Sequence, residues 1–344
     1  MGIKVLVVDD SATARAVLSE ILKNDPEIES VEVAPDAYIA RDKIVQNRPD
    51  VVCLDVEMPR MDGITFLKKM MQHMPIPVVM VSSLTQKGAQ TTLDALEAGA
   101  VDVVGKPHSN MYDSSDEIQA ELLTKIKNAA FATVRKQTNL EAIKKLSYKS
   151  RLSETTQKII AIGSSTGGVE ALKVFLKQFP RNAPGMLIVQ HMPADFTTAF
   201  ATRLDSICDM DIKEAQDGDT VDIGQVLIAP GDVHMVLRRS GHRYYVQLGG
   251  GEKVSGHRPS VNVMFNSVAR AAGANAIGVI LTGMGSDGAK GLLNLRNTGS
   301  MTFGQDEKTS TVYGMPKVAF EMGAVMEQHS LENLPKNILK YLEE

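Results

Sequence analysis

Residues Lys158–Leu172, Lys-Ile-Ile-Ala-Ile-Gly-Ser-Ser-Thr-Gly-Gly-Val-Glu-Ala-Leu, decide how the second half of this chain is read. Lys158–Ile162 is an apolar run of strand length, and the pattern from Val169 to about Phe179 predicts an amphipathic helix. Between them lies Gly163-Ser164-Ser165-Thr166-Gly167-Gly168. A strand–turn–helix of this kind exposes a hydroxyl at the carboxyl end of a strand, beside helix N–H groups that favour developing negative charge. Gly163–Gly167 fits G-x-S-x-G with Ser165 at the serine position, which makes Ser165 the candidate nucleophile. A glycine-rich turn also suits a phosphate loop or a turn without chemistry. The lack of G-x-G-x-x-G and of a P-loop lysine weighs against the phosphate loop.

A nucleophilic serine needs a base, and the base needs an orienting group. The apolar run Met186–Val189 leads into Gln190-His191-Met192-Pro193, and Ala276–Leu281 leads into Thr282-Gly283-Met284-Gly285-Ser286-Asp287-Gly288. His191 directly follows a parallel-type strand and is therefore expected to share an edge with Ser165. His234, His242, His257 and His329 are the other candidate bases. Asp287 is the candidate orienter, although an aspartate before Gly288 also reads as the N-cap of the next helix. The chain order Ser165, His191, Asp287 departs from the Ser, Asp, His order of α/β-hydrolases. The expectation is triad chemistry on a different doubly wound fold. Residues 212–248, with short alternating segments between Gly-containing turns, read as antiparallel hairpins. Helices are expected at about Phe196–Leu204, Ser260–Ala272 and from Gly288 to Arg296, with a strand at Ser300–Phe303 and two further helical stretches.

The first half alternates more regularly. Strands are expected at Ile3–Val8, Ile28–Val33, Val51–Leu54, Pro77–Val81 and Val101–Val104. Helices follow each: Ser11 to about Asn24, Asp36–Gln46, from Met61-Asp62-Gly63, Gln86–Glu97 stopping at Gly99, and Ser115–Val134. Five such pairs imply a flavodoxin-like, five-stranded parallel sheet covered on both faces, with ligands at the carboxyl strand ends. Asp9, Asp10, Asp55, Ser82 and Lys106 all fall at those ends. Crowded carboxylates repel unless a hard cation joins them, and Mg²⁺ suits such oxygen ligands while keeping positions open for phosphate. For any one of these residues, helix capping or a solvated loop charge is the plainer reading; five at successive strand ends is a pattern.

Composition narrows the class. The 344 residues suggest about two domains. A net charge of −4 gives no case for nucleic acid or an anionic membrane as main partner. No apolar run approaches the roughly 20 residues of a membrane span, and the N-terminus enters a strand without a signal-peptide pattern. Cys53 and Cys208 lack metal-type spacing, and Cys53 reads as a packed thiol; the expectation is cytoplasmic. Residues 134–157 change character. Arg135, Lys136, Lys144, Lys145, Lys149 and Arg151 stand against Glu141 and Glu154, which suits a solvated tether or a docking segment for an acidic partner. Leu140, Ile143 and Leu146 there have helical spacing. The expected organisation is 1–133, a linker 134–157, and 158–344.

Val-Val-Asp-Asp-Ser, Leu-Asp-Val-Glu-Met-Pro-Arg-Met-Asp-Gly and Gly-Lys-Pro resemble the receiver domains of bacterial two-component response regulators. The resemblance implies that Asp55 accepts a phosphoryl group from a histidine kinase. It also implies that Asp9, Asp10 and Asp55 hold Mg²⁺ with the Glu57 carbonyl, and that Ser82 and Lys106 sense the phosphate. Val103 and Val104 stand where receivers often carry a switching aromatic. Gly-Ser-Ser-Thr-Gly-Gly, Gln-His-Met-Pro, Ile-Ala-Pro-Gly-Asp-Val-His-Met, His-Arg-Pro-Ser-Val-Asn and Leu-Thr-Gly-Met-Gly-Ser-Asp-Gly-Ala resemble the chemotaxis protein-glutamate methylesterases. That resemblance covers nearly the whole chain. It implies a triad of Ser165, His191 and Asp287, oxyanion donors at the Thr166 and Met284 N–H groups, and no cofactor for hydrolysis. Methyl-accepting chemotaxis receptors are the implied substrate, with demethylation releasing methanol and deamidation of receptor glutamine as a related activity. Ser164 stands where that family usually has Ala.

Overall fold

The computed structural model describes residues 2–82, 86–106, 116–134 and 158–343, of which 86–89, 116, 117 and 195 are described by backbone only. Pro107 and the helical spacing of Leu140, Ile143 and Leu146 lie outside these. The chain separates into two compact units, Met1–Asn139 and Leu140–Glu344.

In the first unit, β1 (Ile3–Val8), β2 (Ile28–Ala34), β3 (Val51–Asp55), β4 (Val78–Ser82) and β5 (Asp102–Gly105) form a parallel sheet of order β2-β1-β3-β4-β5. Val5, Val7, Cys53, Val79 and Val81 pack with α1 (Ala12–Lys23) and α5 (Asp116–Ala130). Their neighbours Leu6, Val8, Val52, Leu54, Val78 and Met80 face the other way and are buried too. Continuous apolar strands are what a sheet covered on both faces requires. Ser11, Asp36 and Asp62 cap α1, α2 (Ala37–Gln46) and α3 (Gly63–His73) by accepting first-turn N–H groups. A Cβ on Gly63 would lie 2.0 Å from the Asp55 carbonyl oxygen, so only glycine lets α3 start this close to β3. The fourth helix, α4 (Gln86–Glu97), is followed by Gly99 in the left-handed region.

The second unit carries a seven-stranded parallel sheet of order β14-β13-β12-β6-β7-β9-β8. Its strands are β6 (Ile159–Ser164), β7 (Gly185–Gln190), β8 (Asp211–Glu214), β9 (Gln225–Ile228), β12 (Ala276–Ile280), β13 (Met301–Gln305) and β14 (Glu327–His329). One face packs on α8 (Val261–Ala271), α9 (Ala289–Asn297) and the hairpin β10 (His234–Ser240) with β11 (Arg243–Gly249). Ile160, Ile162, Met186 and Ile188 point to the opposite face and are also buried. The remaining helices are α6 (Gly168–Leu176), α7 (Ala194–Asp205), α10 (Met315–Glu321) and α11 (Leu334–Glu343). The chain steps outward from β6 to β7 and later returns to β12 on the other side of β6. That is a topological switch point, where ligands of open α/β sheets bind.

Several sequence expectations are corrected. Residues 212–248 form one antiparallel hairpin, not several: β8 and β9 pair parallel and extend the main sheet. Each is only four residues long, too short for alternation to reveal its partner. Strand β6 runs on through Gly163 and Ser164, so the turn is shorter than its composition suggests. Helix α6 ends at Leu176 and α5 at Ala130, before Phe179 and Val134. Strand β14, three residues with a charged start, was not anticipated.

Phe265 of α8 is fully buried between the hairpin, α9 and the sheet. Phe265→Ala is expected to cost the second unit about 3–5 kcal/mol, seen as an earlier urea transition for that unit with the first unit's transition unmoved.

Candidate active site

Ser165, His191 and Asp287 follow β6, β7 and β12, three adjacent strands of the sheet. His191 Nε2 lies 2.9 Å from Asp287 Oδ2. The carboxylate is buried at 2% exposure, so its charge needs partners. Ser260 Oγ–H and the Asn262 and Gly288 N–H groups donate to Oδ1 at 2.8, 3.1 and 3.0 Å, and the Val261 N–H donates to Oδ2 at 2.7 Å. Two of these donors open α8, whose N-terminal dipole also favours an anion. The expected cap of α9 thus belongs mainly to α8; the N-cap of α9 is Gly288, without a side-chain cap. Burial works against the Asp287 charge, but the His191 contact, the Ser260 hydroxyl and the Val261 N–H outweigh it. They hold the carboxyl below the ordinary carboxylate value.

An ionised Asp287 only accepts, so the imidazole proton resides on Nε2. His191 Nδ1 is then the lone-pair nitrogen, and it is buried with no hydrogen-bond partner. That nitrogen makes no hydrogen bond to Ser165, so the two residues are joined at this edge through the backbone and not through their side chains. The His191 N–H donates to the Ser164 carbonyl at 3.1 Å, which ties the ends of β6 and β7 together.

The turn after β6 is held from several sides. Ser164 is fully buried and its hydroxyl donates to Gln190 Oε1 at 2.7 Å, whereas Ser165 is half-buried. Gln190 Nε2 donates to the Ser165 and His191 carbonyls at 2.9 and 3.0 Å. The Ser165 carbonyl also accepts from the Gly168 N–H at 2.7 Å. In a trans peptide the N–H points opposite to the C=O, so these bonds aim the Thr166 N–H away from the helix. The Gly283–Met284 peptide is fixed the same way, because the Gly283 carbonyl accepts from the Met315 N–H at 2.7 Å. Thr282 Oγ1–H lies within reach of the Thr166 and Val312 carbonyls at 3.0 and 3.2 Å, and its backbone N–H donates to Gln305 Oε1 at 2.8 Å. The left-handed residue of the turn is Gly167, with φ of 77°; Ser165 lies outside the left-handed region. A Cβ on Gly283 would stand 2.7 Å from Ser165 Cβ and 2.4 Å from Met315 Sδ, so only glycine allows the two loops to meet.

The structure therefore brings together Ser165, Thr166, His191, Met284 and Asp287. It leaves His242 exposed on the hairpin turn and His329 on edge strand β14, paired with Glu327. Gln190, Ser260, Thr282, Gln305 and the segment before α10 support the site without having been singled out. Gln190 carried a signal: a polar amide ending an otherwise apolar strand. His257 stacks on His191, with ring centroids 3.7 Å apart and planes 12° from parallel.

In the first unit, Asp9, Asp10 and Asp55 offer carboxylate oxygens within 4.8 Å of one another. Lys106 Nζ donates to Asp55 Oδ2 at 3.0 Å and lies 2.8 Å from Asp9 Oδ2, an ion pair without hydrogen-bond alignment. Asp10, Asp55, Glu57, Asp62, Ser82 and Lys106 line the open cavity above them. Burial, with the Asp9 charge adding to it, pushes the Asp55 carboxyl above the ordinary carboxylate range despite the Lys106 contact. Burial likewise pushes the Cys53 thiol far up, so it stays an inert packed group. Hard oxygen donors and a buried Asp9 oxygen lacking an aligned donor fit a divalent cation. Val103 and Val104 are buried, so the aromatic switch position holds packed aliphatic side chains. Among the described residues no helix is long and apolar enough to cross a membrane.

The CheB methylesterase family matches residues 160–338. The chain belongs to that family. The response regulator receiver domain matches residues 5–112. The chain is 58% identical to a protein-glutamate methylesterase/protein-glutamine glutaminase of Sulfurimonas denitrificans, over 100% of this chain and 99% of that protein. It is 53% identical to protein-glutamate methylesterase/protein-glutamine glutaminase 2 of Syntrophus aciditrophicus, over 98% of each. The crystal structure of the Thermotoga maritima CheB methylesterase catalytic domain is similar with a TM-score of 0.53 at 37% identity, covering 54% of this chain and 100% of that one.

Asp287→Asn should destabilise the protein by about 1–3 kcal/mol at pH 7. The folded carboxyl lies below its ordinary value of 3.8, so its stabilisation is complete above that pH and is lost as pH falls through 3.8 toward the folded value. Urea midpoints of wild type and variant should therefore converge in acid. Gly283→Ala should lower kcat about tenfold to a hundredfold by displacing the loop from Ser165, with the thermal midpoint moving far less than the rate.

Proposed function

We propose that this protein hydrolyses γ-methyl esters of glutamate on chemotaxis receptors, releasing methanol, and deamidates receptor glutamines by the same acyl chemistry. Family membership supports the reaction. The adjacent placement of Ser165, His191 and Asp287, with the 2.9 Å His191–Asp287 contact, supports the residues that carry it. Ser165 Oγ attacks the ester carbonyl while His191 Nδ1 takes its proton. Asp287 holds the Nε2–H tautomer and offsets the imidazolium charge. The Thr166 and Met284 N–H groups receive the oxyanion, each such donor being worth about 10²–10³ in rate. Collapse expels the methoxy group, which leaves as methanol with the His191 proton. Water then attacks the acyl-enzyme, giving its proton to His191, and Ser165 is regenerated with the glutamate carboxylate released. With glutamine, ammonia leaves in place of methanol.

Regulation is assigned to the first unit. Asp55 takes the phosphoryl group from a chemotaxis histidine kinase, and Asp9, Asp10, Asp55 and the Glu57 carbonyl would hold Mg²⁺. When bound, Mg²⁺ neutralises charge on the phosphoryl oxygens. Lys106 and Ser82 then contact the new phosphoryl group in place of the free carboxylate. The residue chemistry suits a cytoplasmic enzyme acting on the cytoplasmic part of a membrane receptor, without inserting in the membrane or binding nucleic acid.

Methanol release from methylated receptor tests the reading. Wild type should release methanol, a phosphoryl donor with Mg²⁺ should raise the rate, and Asp55→Asn should remove only that increase. Ser165→Ala should release none; equal release by this variant would refute the assignment of the nucleophile.

A further inference from the structure

The triad accounts for one edge of the His191 ring. The ring turns about its own Cβ–Cγ bond, and Nε2 lies close to that axis, so the single hydrogen bond to Asp287 restrains the rotation weakly, while Nδ1 has no hydrogen-bond partner. The flat face of the ring meets His257, with centroids 3.7 Å apart and planes 12° from parallel. Such a contact constrains the rotation that the hydrogen bond leaves free. It also fills one face of the imidazole with a planar group.

A platform works only if it is itself held, and the segment carrying His257 is tied down along its length. His257 exchanges two backbone hydrogen bonds with Val254, both at 3.0 Å. Arg258 Nε and Nη2 donate to Asp232 Oδ1 at 3.0 and 2.6 Å, and Nη1 donates to the Gly251 carbonyl at 2.5 Å. The Ser260 N–H donates to His234 Nδ1 at 3.2 Å, so the His234 proton is on Nε2, which donates to the Glu252 carbonyl at 3.0 Å. Asn262 Nδ2 donates to Ser255 Oγ at 3.2 Å. Few apolar side chains anchor residues 250–260, yet polar bonds fix them at seven positions. The same segment ends in Ser260, whose hydroxyl donates to Asp287. It therefore holds the orienting carboxylate at one end and faces the base near its middle.

The geometry points to His257 as a positioning residue that clamps the plane of the His191 imidazole at the sheet edge it shares with Ser165. The contribution is the flat face of the ring. The inference rests on His191 acting as the base of Ser165.

Burst kinetics with p-nitrophenyl acetate on the full-length protein test it, since acylation by a small ester reads the Ser165 machinery without any receptor. Ser165→Ala must abolish the burst. His257→Ala and His257→Leu are expected to slow acylation about tenfold to a hundredfold with KM changed less than about twofold. His257→Phe, flat but without ring nitrogens, should stay within about threefold of wild type. The downfield proton resonance of His191 Nε2–H should persist in wild type and His257→Phe and broaden in His257→Leu. Leucine and phenylalanine both fill the space, so their comparison holds even where the alanine variant fails to fold. Wild-type acylation in His257→Leu, or equal loss in His257→Phe and His257→Leu, would overturn the proposal. A Ser165-dependent burst without methanol release from receptor would instead count against the glutamyl-ester substrate alone.

Discussion

The second unit depends on one buried charge. Asp287 collects a hydroxyl, three backbone N–H groups and an imidazole around two oxygens. A carboxylate taken out of water costs several kcal/mol unless such donors replace its hydration. Here the donors come from three places: the start of α8, the turn before α9, and His191 after β7. Neutralising the charge therefore brings three loops of the sheet edge into register. Orientation of the base is a by-product of satisfying the carboxylate, and the Nε2–H tautomer follows from Asp287 having no proton to give.

The serine turn is built by a different device. No charge lies in it. Peptide planes are set instead by bonding their carbonyls, Ser165 through Gln190 and Gly168, and Gly283 through Met315. Covalent planarity then fixes the direction of the opposite N–H edge of each peptide. The two serines also divide cleanly. Ser164 ends β6 with its side chain spent on Gln190, so it tightens the strand pair. Ser165 is the first residue past the strand, and its side chain emerges at the edge. A shift of one residue in β6 would exchange these roles, because successive strand side chains alternate faces. Gly163 guards that register: a Cβ there would lie 2.2 Å from Val261 Cγ1.

How much of this was legible follows from where each signal resides. Fully buried strands such as β1, β3, β6 and β12 announce themselves as apolar runs, and the polar residue ending each run marks the site. Asp9, Asp55 and His191 stand directly at such ends, Ser165 follows one inside G-x-S-x-G, and Asp287 comes a short turn after another. Edge strands β8, β9 and β14 are short and half-polar, so neither run nor alternation identified them or their parallel pairing. Supporting residues were harder for another reason. Gln190, Ser260, Thr282 and Gln305 act through contacts between distant segments, for instance 25 residues between Gln190 and Ser165. Gln190 at least ends an apolar strand with a polar amide, but nothing local distinguishes Ser260, Thr282 or Gln305 from an ordinary cap or turn residue. His257 was visible only as one histidine among several; its parallel face on His191 is a tertiary fact.

The two acid sites of the chain carry opposite electrostatics, and the contrast bears on what each can do. Asp287 is over-supplied with donors and lies below the ordinary carboxylate value, which suits a group that must stay ionised while a neighbouring imidazole gains and loses a proton. Asp55 is under-supplied. It has the Val56 N–H and Lys106, but it shares Lys106 with Asp9 and is pushed upward. Lys106 itself, despite burial, is held above the ordinary lysine value by Asp9 and Asp55 and stays a fixed cation. A cluster with three carboxylates against one ammonium retains excess negative charge, and a divalent cation relieves it. The Asp55 carboxylate is thus the less favoured partner of the pair, since it shares Lys106 with Asp9. Each donor of Asp287, by contrast, is fixed by a backbone turn or by a side chain that is itself bonded.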